Sequence, residues 1–412
     1  MRRILVLLLA FAVFFSSAAA EIHAVNFNDS CAVIDSDGNR AIDSSGYDMI
    51  FVLKNENNDI SGYAAGIADE NNGVHYALLS PDGERLTDFS YTYIASAGKM
   101  FIASCRDDWR LLTSRGDVLG DAYSDMEYIG GDTCFAAVGD PYDEISDKLV
   151  IISCEGAATV SEISIQYGLS PFSDGLMALA DGNSLLYGYV DSNGEWAIEP
   201  AYKYAGTFAD GCAIIAGESG YGIIDLAGNE IISPEYDFLA RSGAIFCAVK
   251  DGTAYLFNSD GQMLHETSLD GASARLTGDY LSITTPDEVR IMDVTGAVIF
   301  TCDSTASVES AGKYFIVRKG GWTASRAQLF DLTGQPVSQI WSALVFLEDG
   351  MFAYGMRDDN DSLRYGLLST DSGVLTECRY TSLALIKPGL YVAVTDEGAV
   401  LLDASGAEKP IS

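Results

Sequence analysis

Histidine and basic residues are scarce in this chain. It has three histidines, His23, His75 and His265, and 24 lysines and arginines against 59 aspartates and glutamates. None of the histidines stands near a serine, cysteine or metal-ligand pattern, which argues against a histidine-based triad and against a zinc site. The formal net charge of −35 disfavours nucleic acid as a partner, because binding to phosphate backbones depends on lysine and arginine.

Closely spaced cysteines are also missing. The eight cysteines are spread along the chain with no two closer than 20 residues: Cys31, Cys105, Cys134, Cys154, Cys212, Cys247, Cys302 and Cys378. An even number in an exported protein would permit disulfides. The chain is long enough to bury a large core without them, and a small thiol fits apolar runs such as that around Cys247. We therefore expect mostly free, buried thiols rather than a disulfide framework.

The only long apolar run lies at the N-terminus. Residues 1–20, "MRRILVLLLAFAVFFSSAAA", have a basic start, an apolar stretch and a small-residue end, which is the layout of a signal peptide cleaved after Ala20. The alternative is an uncleaved N-terminal anchor. No cysteine follows the small residues, so a lipid anchor is not expected. We expect the mature chain, Glu21 to Ser412 with a formal charge of −37, to be secreted or displayed at the cell surface, without a further membrane span.

The chain shows no sustained helical periodicity, and it has no proline-rich or glycine- and serine-rich linker. Its main pattern is a short repeat. Two apolar residues, then Asp, Asn, Ser or Thr, two variable residues and Gly recur about every 37 residues, with one copy a residue longer. The copies end at Gly38, Gly83, Gly116, Gly156, Gly194, Gly228, Gly261, Gly296, Gly334, Gly373 and Gly406.

Each copy predicts a strand that ends, turns and returns. The polar side chain can accept hydrogen bonds from backbone amides two residues further on, and glycine supplies the positive φ that closes the hairpin. Three or four strands in about 37 residues leave no room for an ordinary helix, so the sequence predicts an all-β protein. Such units must stack on their neighbours and have the size of propeller blades. One large ring, two rings and an open β-solenoid or spiral remain as arrangements of about eleven units over residues 21–412.

Two copies contain polar insertions, which we predict to be loops. The first runs from Lys54 to Gly73, "KNENNDISGYAAGIADENNG", and the second from Gly139 to Lys148, "GDPYDEISDK". Their polar composition and lack of a sustained apolar pattern favour exposed connections.

From Tyr187 to Ile215 the chain resembles the bacterial WG-repeat family, and the best matching region is 171–240. The units of that family pair an aromatic residue with glycine, continue with an apolar pair, Asp and a turn glycine, and then carry an apolar–Pro–Tyr segment. In the first unit these positions are Tyr187, Gly188, Val190, Asp191, Gly194, Trp196, Ile198, Pro200, Tyr202, Phe208 and Gly211; in the second they are Tyr221, Gly222, Asp225, Gly228, Ile231, Pro234 and Tyr236. The resemblance implies an exported tandem β-repeat protein with no catalytic residues to transfer.

No catalytic, cofactor-binding or metal-binding residue can be named from the sequence. "DSDGN" at Asp35 to Asn39 begins like a calcium loop, but it lacks the glycine and the distal glutamate of that motif, so a turn is the better interpretation. The stretches at Ile291 and Leu329 resemble quinoprotein propeller blades without the tryptophan expected after the glycine. The tyrosines repeated at Tyr187, Tyr221 and Tyr365 are interpreted as packing between units, with stacking on sugars as the alternative.

These observations favour an exported, non-enzymatic scaffold that binds a polysaccharide, a cell-wall component or another protein, and that is a monomer without a cofactor. The alternatives are a propeller enzyme, either a glycosidase or a quinone-dependent dehydrogenase, and a purely structural spacer. The ligand-binding residues are unknown at this stage.

Overall fold

A computed structural model describes residues 21–411, apart from 28–29, 36, 71–72, 107, 140–146 and 321–324. Residues 1–20, which carry the predicted signal peptide, lie outside the described residues. The regular secondary structure of the described residues is β-strand, in small sheets whose strands follow one another in sequence order. This confirms the all-β prediction.

The first half of the chain forms five sheets. Their strands are β1 (His23–Phe27) and β2 (Ser30–Ile34); β3 (Met49–Lys54), β4 (Ile60–Ala68) and β5 (Val74–Leu79); β6 (Tyr93–Ala97), β7 (Met100–Cys105), β8 (Asp108–Leu112) and β9 (Val118–Tyr123); a seven-stranded sheet of β10 (Asp125–Gly130), β11 (Thr133–Val138), β12 (Asp147–Ser153), β13 (Ala158–Gln166), β14 (Met177–Asp181), β15 (Tyr187–Val190) and β16 (Trp196–Tyr202); and β17 (Tyr204–Ala205), β18 (Cys212–Ala216), β19 (Tyr221–Asp225) and β20 (Glu230–Tyr236).

The remaining described chain forms five more sheets of the same kind. Their strands are β21 (Phe238–Ser242), β22 (Ile245–Lys250), β23 (Thr253–Asn258) and β24 (Met263–Ser268); β25 (Ser273–Thr277), β26 (Tyr280–Thr284), β27 (Glu288–Met292) and β28 (Val298–Asp303); β29 (Ser307–Ala311), β30 (Tyr314–Lys319) and β31 (Arg326–Asp331); β32 (Ala343–Glu348), β33 (Met351–Arg357), β34 (Leu363–Ser369) and β35 (Gly373–Val374); and β36 (Ser382–Lys387), β37 (Leu390–Val394), β38 (Ala399–Asp403) and β39 (Glu408–Pro410).

A four-stranded sheet with its strands in sequence order has the topology of a propeller blade. In the sheet β17–β20, for example, successive strands pair antiparallel, and Cys212 lies opposite Asp225. The seven-stranded sheet joins two such units, because the end of β13 also pairs with β14 through Ile165 and Gln166. The strand order therefore confirms the blade-like repeat predicted from the sequence.

The repeated glycines close hairpins as predicted. All eleven have a positive φ, between 73° at Gly194 and 87° at Gly296. In the turn before Gly228, the Asp225 carboxylate accepts hydrogen bonds from the backbone amides of Ala227, at 2.9 Å, and Asn229, at 2.8 Å. The amide of Gly228 donates to the Asp225 carbonyl at 2.9 Å. The polar residue and the glycine thus fix the turn together.

The prediction of a loop from Lys54 to Gly73 is wrong. Residues Ile60–Ala68 form β4, which pairs with β3 on one side and β5 on the other. The small residues of this strand hid it in the sequence, yet they are what lets its neighbours approach: a Cβ on Gly62 would stand 2.5 Å from the Leu79 carbonyl oxygen. In the second predicted loop, Asp147 and Lys148 already belong to β12, and residues 140–146 lie outside the described residues.

The described chain divides into two compact units. One comprises the described residues up to 46 together with 287–289 and those from 299 onward, and the other comprises 47–286 and 290–298. Within each unit, apolar faces of successive sheets pack together. In the second unit, one core cluster combines residues of β18–β20 with residues of β21–β23: Cys212, Ile223, Ile232, Leu239, Phe246, Ala248 and Phe257. Burying side chains of this size contributes about 1.5–3 kcal/mol each.

In the unit that holds both described ends of the chain, the first sheet packs against the last one. Val25, Ala32 and Ile34 from β1 and β2 share a core cluster with Leu401 from β38. A Cβ on the turn glycine Gly38 would stand 2.7 Å from Leu401 Cδ1. The first copy of the repeat is therefore covered by the last copy.

Candidate functional site

The family-like aromatic residues lie opposite one another in the sheets. Tyr187 on β15 pairs with Tyr202 on β16, and Tyr221 on β19 pairs with Tyr236 on β20. The aromatic of each aromatic–glycine pair is thus the cross-strand neighbour of the tyrosine in the Pro–x–Tyr segment of the same copy. Such cross-strand aromatic pairs stabilise the outer half of the sheet.

The glycine of the aromatic–glycine pair has a separate physical reason. A Cβ on Gly188 would stand 2.5 Å from the Ile198 carbonyl oxygen and 2.7 Å from the Pro200 nitrogen. The register between β15 and β16 shifts at this point, so the last strand bends toward its neighbour around the proline. Glycine is required here for close backbone approach and not for an unusual φ.

Six tyrosines lie near one another along the sheets of residues 158–258, and we name them the tyrosine ladder: Tyr167, Tyr187, Tyr204, Tyr221, Tyr236 and Tyr255. Tyr187 interacts electrostatically with Tyr167 and with Tyr204. The rings of Tyr204 and Tyr221 meet edge to face with their centroids 6.3 Å apart, and those of Tyr236 and Tyr255 at 5.7 Å. Tyr221 and Tyr236 are cross-strand partners, which links the Tyr204–Tyr221 pair to the Tyr236–Tyr255 pair.

The ladder is buried on one side and open on the other. Tyr187 and Tyr221 pack partly buried against core clusters, while Tyr167 is 72% exposed and Tyr204 is 48% exposed. Phe238, the first residue of β21, is also 48% exposed. Burial raises the pKa of Tyr187, and the nearby Tyr167 and Tyr204 raise it further. The Tyr187 phenol is therefore neutral at physiological pH, and its ring is held in place by the core beneath it.

Charges beside the ladder are paired with one another. Lys203 Nζ lies 2.7 Å from Glu218 Oε2, and Lys250 Nζ lies 2.7 Å from Glu235 Oε2. These pairs stand at the strand ends that carry the ladder. They leave a surface of aromatic faces, hydroxyl groups and neutralised charges, which suits an uncharged ligand with both apolar and hydroxyl-bearing faces.

A counterpart of the Tyr204–Tyr221 pair occurs in another sheet. Tyr93 on β6 is 49% exposed, and its ring meets that of Trp109 edge to face at 5.7 Å. Tyr93, Ser104, Trp109 and Tyr123 lie in one cross-strand row, as do Tyr204, Ala216, Tyr221 and Tyr236. Tyr93 is thus a matched position for Tyr204 outside the ladder.

Sequence reasoning did not single out Tyr204, an exposed member of this surface. Tyr187 and Tyr221 were interpreted as packing residues, and they do pack against the core, as does Tyr365. Tyr204 stands 17 residues from each of Tyr187 and Tyr221, which is half of their 34-residue separation. That spacing was the available signal, because it places an aromatic at the same end of the sheet on both the first and the third strand.

The structure places the three histidines in different sheets. His75 Nε2 lies 3.3 Å from Asp69 Oδ2, His23 Nε2 lies 3.7 Å from Glu21 Oε2, and the ring of His265 packs against Gly296. Among the described residues, no group of three or more His, Cys, Asp or Glu side chains is arranged to hold a metal ion. In "DSDGN", the Asp35 carboxylate accepts hydrogen bonds from the amides of Asp37 and Asn39, so this segment is a turn.

The cysteines form no disulfides with one another, as expected. Cys31, Cys134, Cys212 and Cys247 are buried, and the other four are partly buried. Burial raises the pKa of Cys247 to about 11. The described part of the chain contains no helix that is both long enough and apolar enough to cross a membrane.

The fold and this surface define a tandem β-repeat protein with blade-like sheets. The family model described as "WG containing repeat" matches residues 187–216 and 221–242. The chain therefore contains WG repeats, which confirms the resemblance, and the matched residues include four members of the ladder.

Similarity to individual proteins is limited. The Holliday junction branch migration complex subunit RuvA of Rhodococcus jostii (strain RHA1) is 32% identical over 110 residues, which are 27% of this chain and 52% of that protein. The chain thus spans about half the length of this curated relative. Solved structures with similarity include a eukaryotic initiation factor (10% identity, TM-score 0.45, 95% of each chain) and apo AztD from Citrobacter koseri (12% identity, TM-score 0.32, 77% of this chain and 93% of that chain).

Proposed function

We propose that this protein is an exported, non-enzymatic repeat scaffold that binds an uncharged polysaccharide or cell-wall glycan through the tyrosine ladder. The observation that supports the proposal most strongly is the clustering of exposed tyrosines on neighbouring sheets. Tyr167 and Tyr204 are exposed at 72% and 48%, and the rings of Tyr204 and Tyr221 and of Tyr236 and Tyr255 meet edge to face. Clustered exposed aromatic side chains favour an interaction site.

Tyrosine suits a sugar ligand for two reasons. Its flat apolar face can cover the C–H face of a sugar ring, and its hydroxyl group can hydrogen-bond to the sugar's own hydroxyls. The side chain has two χ angles, so little conformational entropy is lost on binding. In the ladder this loss is smaller still, because the ring of Tyr221 supports that of Tyr204 edge to face. A row of such rings fits an extended chain better than a compact ligand.

The charge of the protein supports an uncharged ligand over nucleic acid. The chain carries 59 acidic and 24 basic residues, and Lys203 and Lys250 beside the ladder are already paired with glutamates. A nucleic acid would have to approach this acidic surface without free cations at the ladder. The Holliday junction named for RuvA is therefore not carried over to this chain.

The layout of residues 1–20 supports export through a cleaved signal peptide. Outside the cell, glycans are the abundant polymers that a surface of tyrosines would meet. The stacked sheets of residues 47–286 carry the ladder, and we propose that the mature chain acts as a monomer, because the ladder lies within a single compact unit.

The proposal is tested with purified residues 21–412 and a panel of insoluble polysaccharides and bacterial cell walls, measuring the fraction of protein that pellets. We expect saturable pelleting with at least one neutral material. Tyr204→Ala should weaken it about tenfold, since one aromatic contact is worth about 1–1.5 kcal/mol. Tyr93→Ala is the control, with the same exposure and register outside the ladder. Equal losses in both variants, or pelleting with no material, would contradict the proposal.

A further inference from the structure

A second surface, distant from the ladder along the chain, surrounds the segment that leads from β5 to β6. Two cavities adjoin here and share Ser90. The first, of about 410 Å³, is lined by residues that include Arg85 and Asp88, and the second, of about 460 Å³, by residues that include Phe89 and Arg106. We call the two cavities together the arginine groove. Its size falls in the range typical of ligand sites.

The two arginines of the groove lack the partners that most cations of this protein have. Elsewhere lysines and arginines pair with carboxylates, as Lys99 does with Asp132 and Arg364 with Asp396. Within the described residues, neither the Arg85 nor the Arg106 side chain makes an ion pair or a hydrogen bond, although the chain carries 59 acidic residues. Two guanidinium groups without a charged partner therefore lie at adjoining cavities.

Most other charged groups of the groove have partners. Asp108 lies 3.6 Å from Arg110, and His75 lies 3.3 Å from Asp69, whereas the exposed Asp88 makes no ion pair within the described residues. Arg85 covers the ring of Phe89, with its guanidinium carbon 5.6 Å from the ring centroid. This contact holds the guanidinium plane in place while leaving its N–H groups available.

We propose that the arginine groove binds the carboxylate of an acidic sugar, such as a uronic acid unit of an anionic polysaccharide. A guanidinium group matches a carboxylate with two parallel hydrogen bonds. Phe89 adds an aromatic surface, and Ser90, whose hydroxyl makes a long 3.5 Å contact with the Asp88 carbonyl, adds a group that can bond to sugar hydroxyls. Bare inorganic anions would leave the aromatic ring and the hydroxyl unused.

The overall charge of the protein sharpens this assignment. A chain of formal charge −35 repels polyanions at long range, so binding of an acidic sugar must come from a local site. The groove does not depend on the ladder, because it recognises a different ligand chemistry through other residues. The two proposals therefore stand or fall separately.

The test is calorimetric titration of the full mature chain with a trimer of galacturonic acid at low ionic strength, where charged contacts are least screened. Arg85→Gln and Arg106→Gln remove one charge each while keeping a long polar side chain, and we expect about tenfold weaker binding for each variant. Arg326→Gln is the matched control: Arg326 is exposed at the start of β31, lines neither cavity and makes no ion pair within the described residues.

Two further titrants distinguish the chemistry. A trimer of galactose has the same ring without the carboxylate, and inorganic phosphate has the charge without the ring. We expect neither to approach the affinity of the galacturonate trimer. Comparable binding of galactose or phosphate, an equal loss in Arg326→Gln, or no heat with the galacturonate trimer would overturn the assignment. Melting temperatures of the three variants confirm that they are folded.

Discussion

Gly222 stands so close to Ile232 that a Cβ atom on the glycine would lie 2.5 Å from the isoleucine carbonyl oxygen. The two residues belong to β19 and β20, and the same contact joins Gly188 to Ile198 in the preceding copy. The glycine that follows the aromatic residue in this family pattern is therefore a packing requirement between neighbouring strands. Because the opposing atoms are backbone, they cannot move aside as a side chain would.

This contact predicts the effect of adding one methyl group. Gly222→Ala should lower the free energy of unfolding by about 1–3 kcal/mol through overpacking. Gly217→Ala, in the same sheet, is the control, since its Cβ would meet only Pro234 side-chain atoms at 3.4 Å and its φ is not left-handed. Denaturant unfolding of both variants measures the difference. Equal stability of the two variants would contradict the close-approach explanation.

The turn glycines predict a different pattern of costs. Gly228 and Gly261 have similar φ values, 80° and 76°, so alanine is strained at either position by about 1 kcal/mol. A Cβ on Gly228 would touch only Ile198 side-chain atoms at 3.4 Å, whereas one on Gly261 would stand 2.6 Å from the Ile231 carbonyl oxygen. Thermal unfolding should therefore show Gly261→Ala to be the less stable of the two. The opposite order would mean that the sheets do not stack as described.

The turn aspartates predict a loss of stability in acid. A hydrogen bond from the Asn229 side chain, followed by one from the Asn229 amide, lowers the pKa of Asp225, and a hydrogen bond from Thr333 does the same for Asp331. A carboxyl with a lowered pKa in the fold stabilises the protein above the pKa of the unfolded chain, about 3.9, and this stability is lost as the pH falls below it.

The measurement is the melting temperature at pH 7 and at pH 3. The drop between the two should be smaller in Asp225→Asn than in the parent protein, because the variant has no carboxyl to protonate at this turn. Asp260→Asn is the control. In that turn the backbone amides donate to the Asn258 side chain and not to Asp260, so this variant should leave the drop unchanged. A variant Asp225→Asn with the parent's full acid dependence would show that this carboxylate does not contribute.

Thiol reactivity provides a test of burial. Cys247 is fully buried and its pKa is raised to about 11, so we expect it to react with a disulfide reagent only after unfolding. Cys105 lines the second cavity of the arginine groove and should react in the native protein. The number of thiols that react at pH 8 is followed over time. Cys105→Ser should remove one equivalent from the fast phase of the reaction, and Cys247→Ser should remove none. Fast loss of a thiol from Cys247 would contradict the packing of β22.

The repeated turns were predictable because their chemistry is local. Asp225 and Gly228 belong to one four-residue turn, so the hydrogen bonds and the positive φ that define it follow from adjacent residues. The strand Ile60–Ala68 was not predictable in this way. Its residues are small and flanked by polar ones, and only the neighbours on both sides, β3 and β5, make it a strand. Tertiary pairing decided its structure against local propensity.

The candidate site was less accessible to sequence reasoning than the fold. Tyr187 and Tyr221 stood out because they repeat, and repetition indicated packing. The ladder depends as well on Tyr167, which directly follows β13, and on Tyr255 of β23, and neither has a family pattern of its own. The arginine groove similarly joins Arg85 and Arg106 through the fold of the segment between them. Both surfaces arise where separate copies meet.

The central claim is that the tyrosine ladder is the surface that holds the glycan. Hydroxyl-radical footprinting with a soluble fragment of the polysaccharide that pellets the protein measures this directly, because oxidation of a tyrosine reports its exposure. We predict reduced oxidation of Tyr167 and Tyr204 in the presence of the glycan, with Tyr93 unchanged although it is equally exposed in the free protein. Protection of Tyr93 instead, or unchanged oxidation of Tyr167 and Tyr204 at saturating glycan, would contradict the claim.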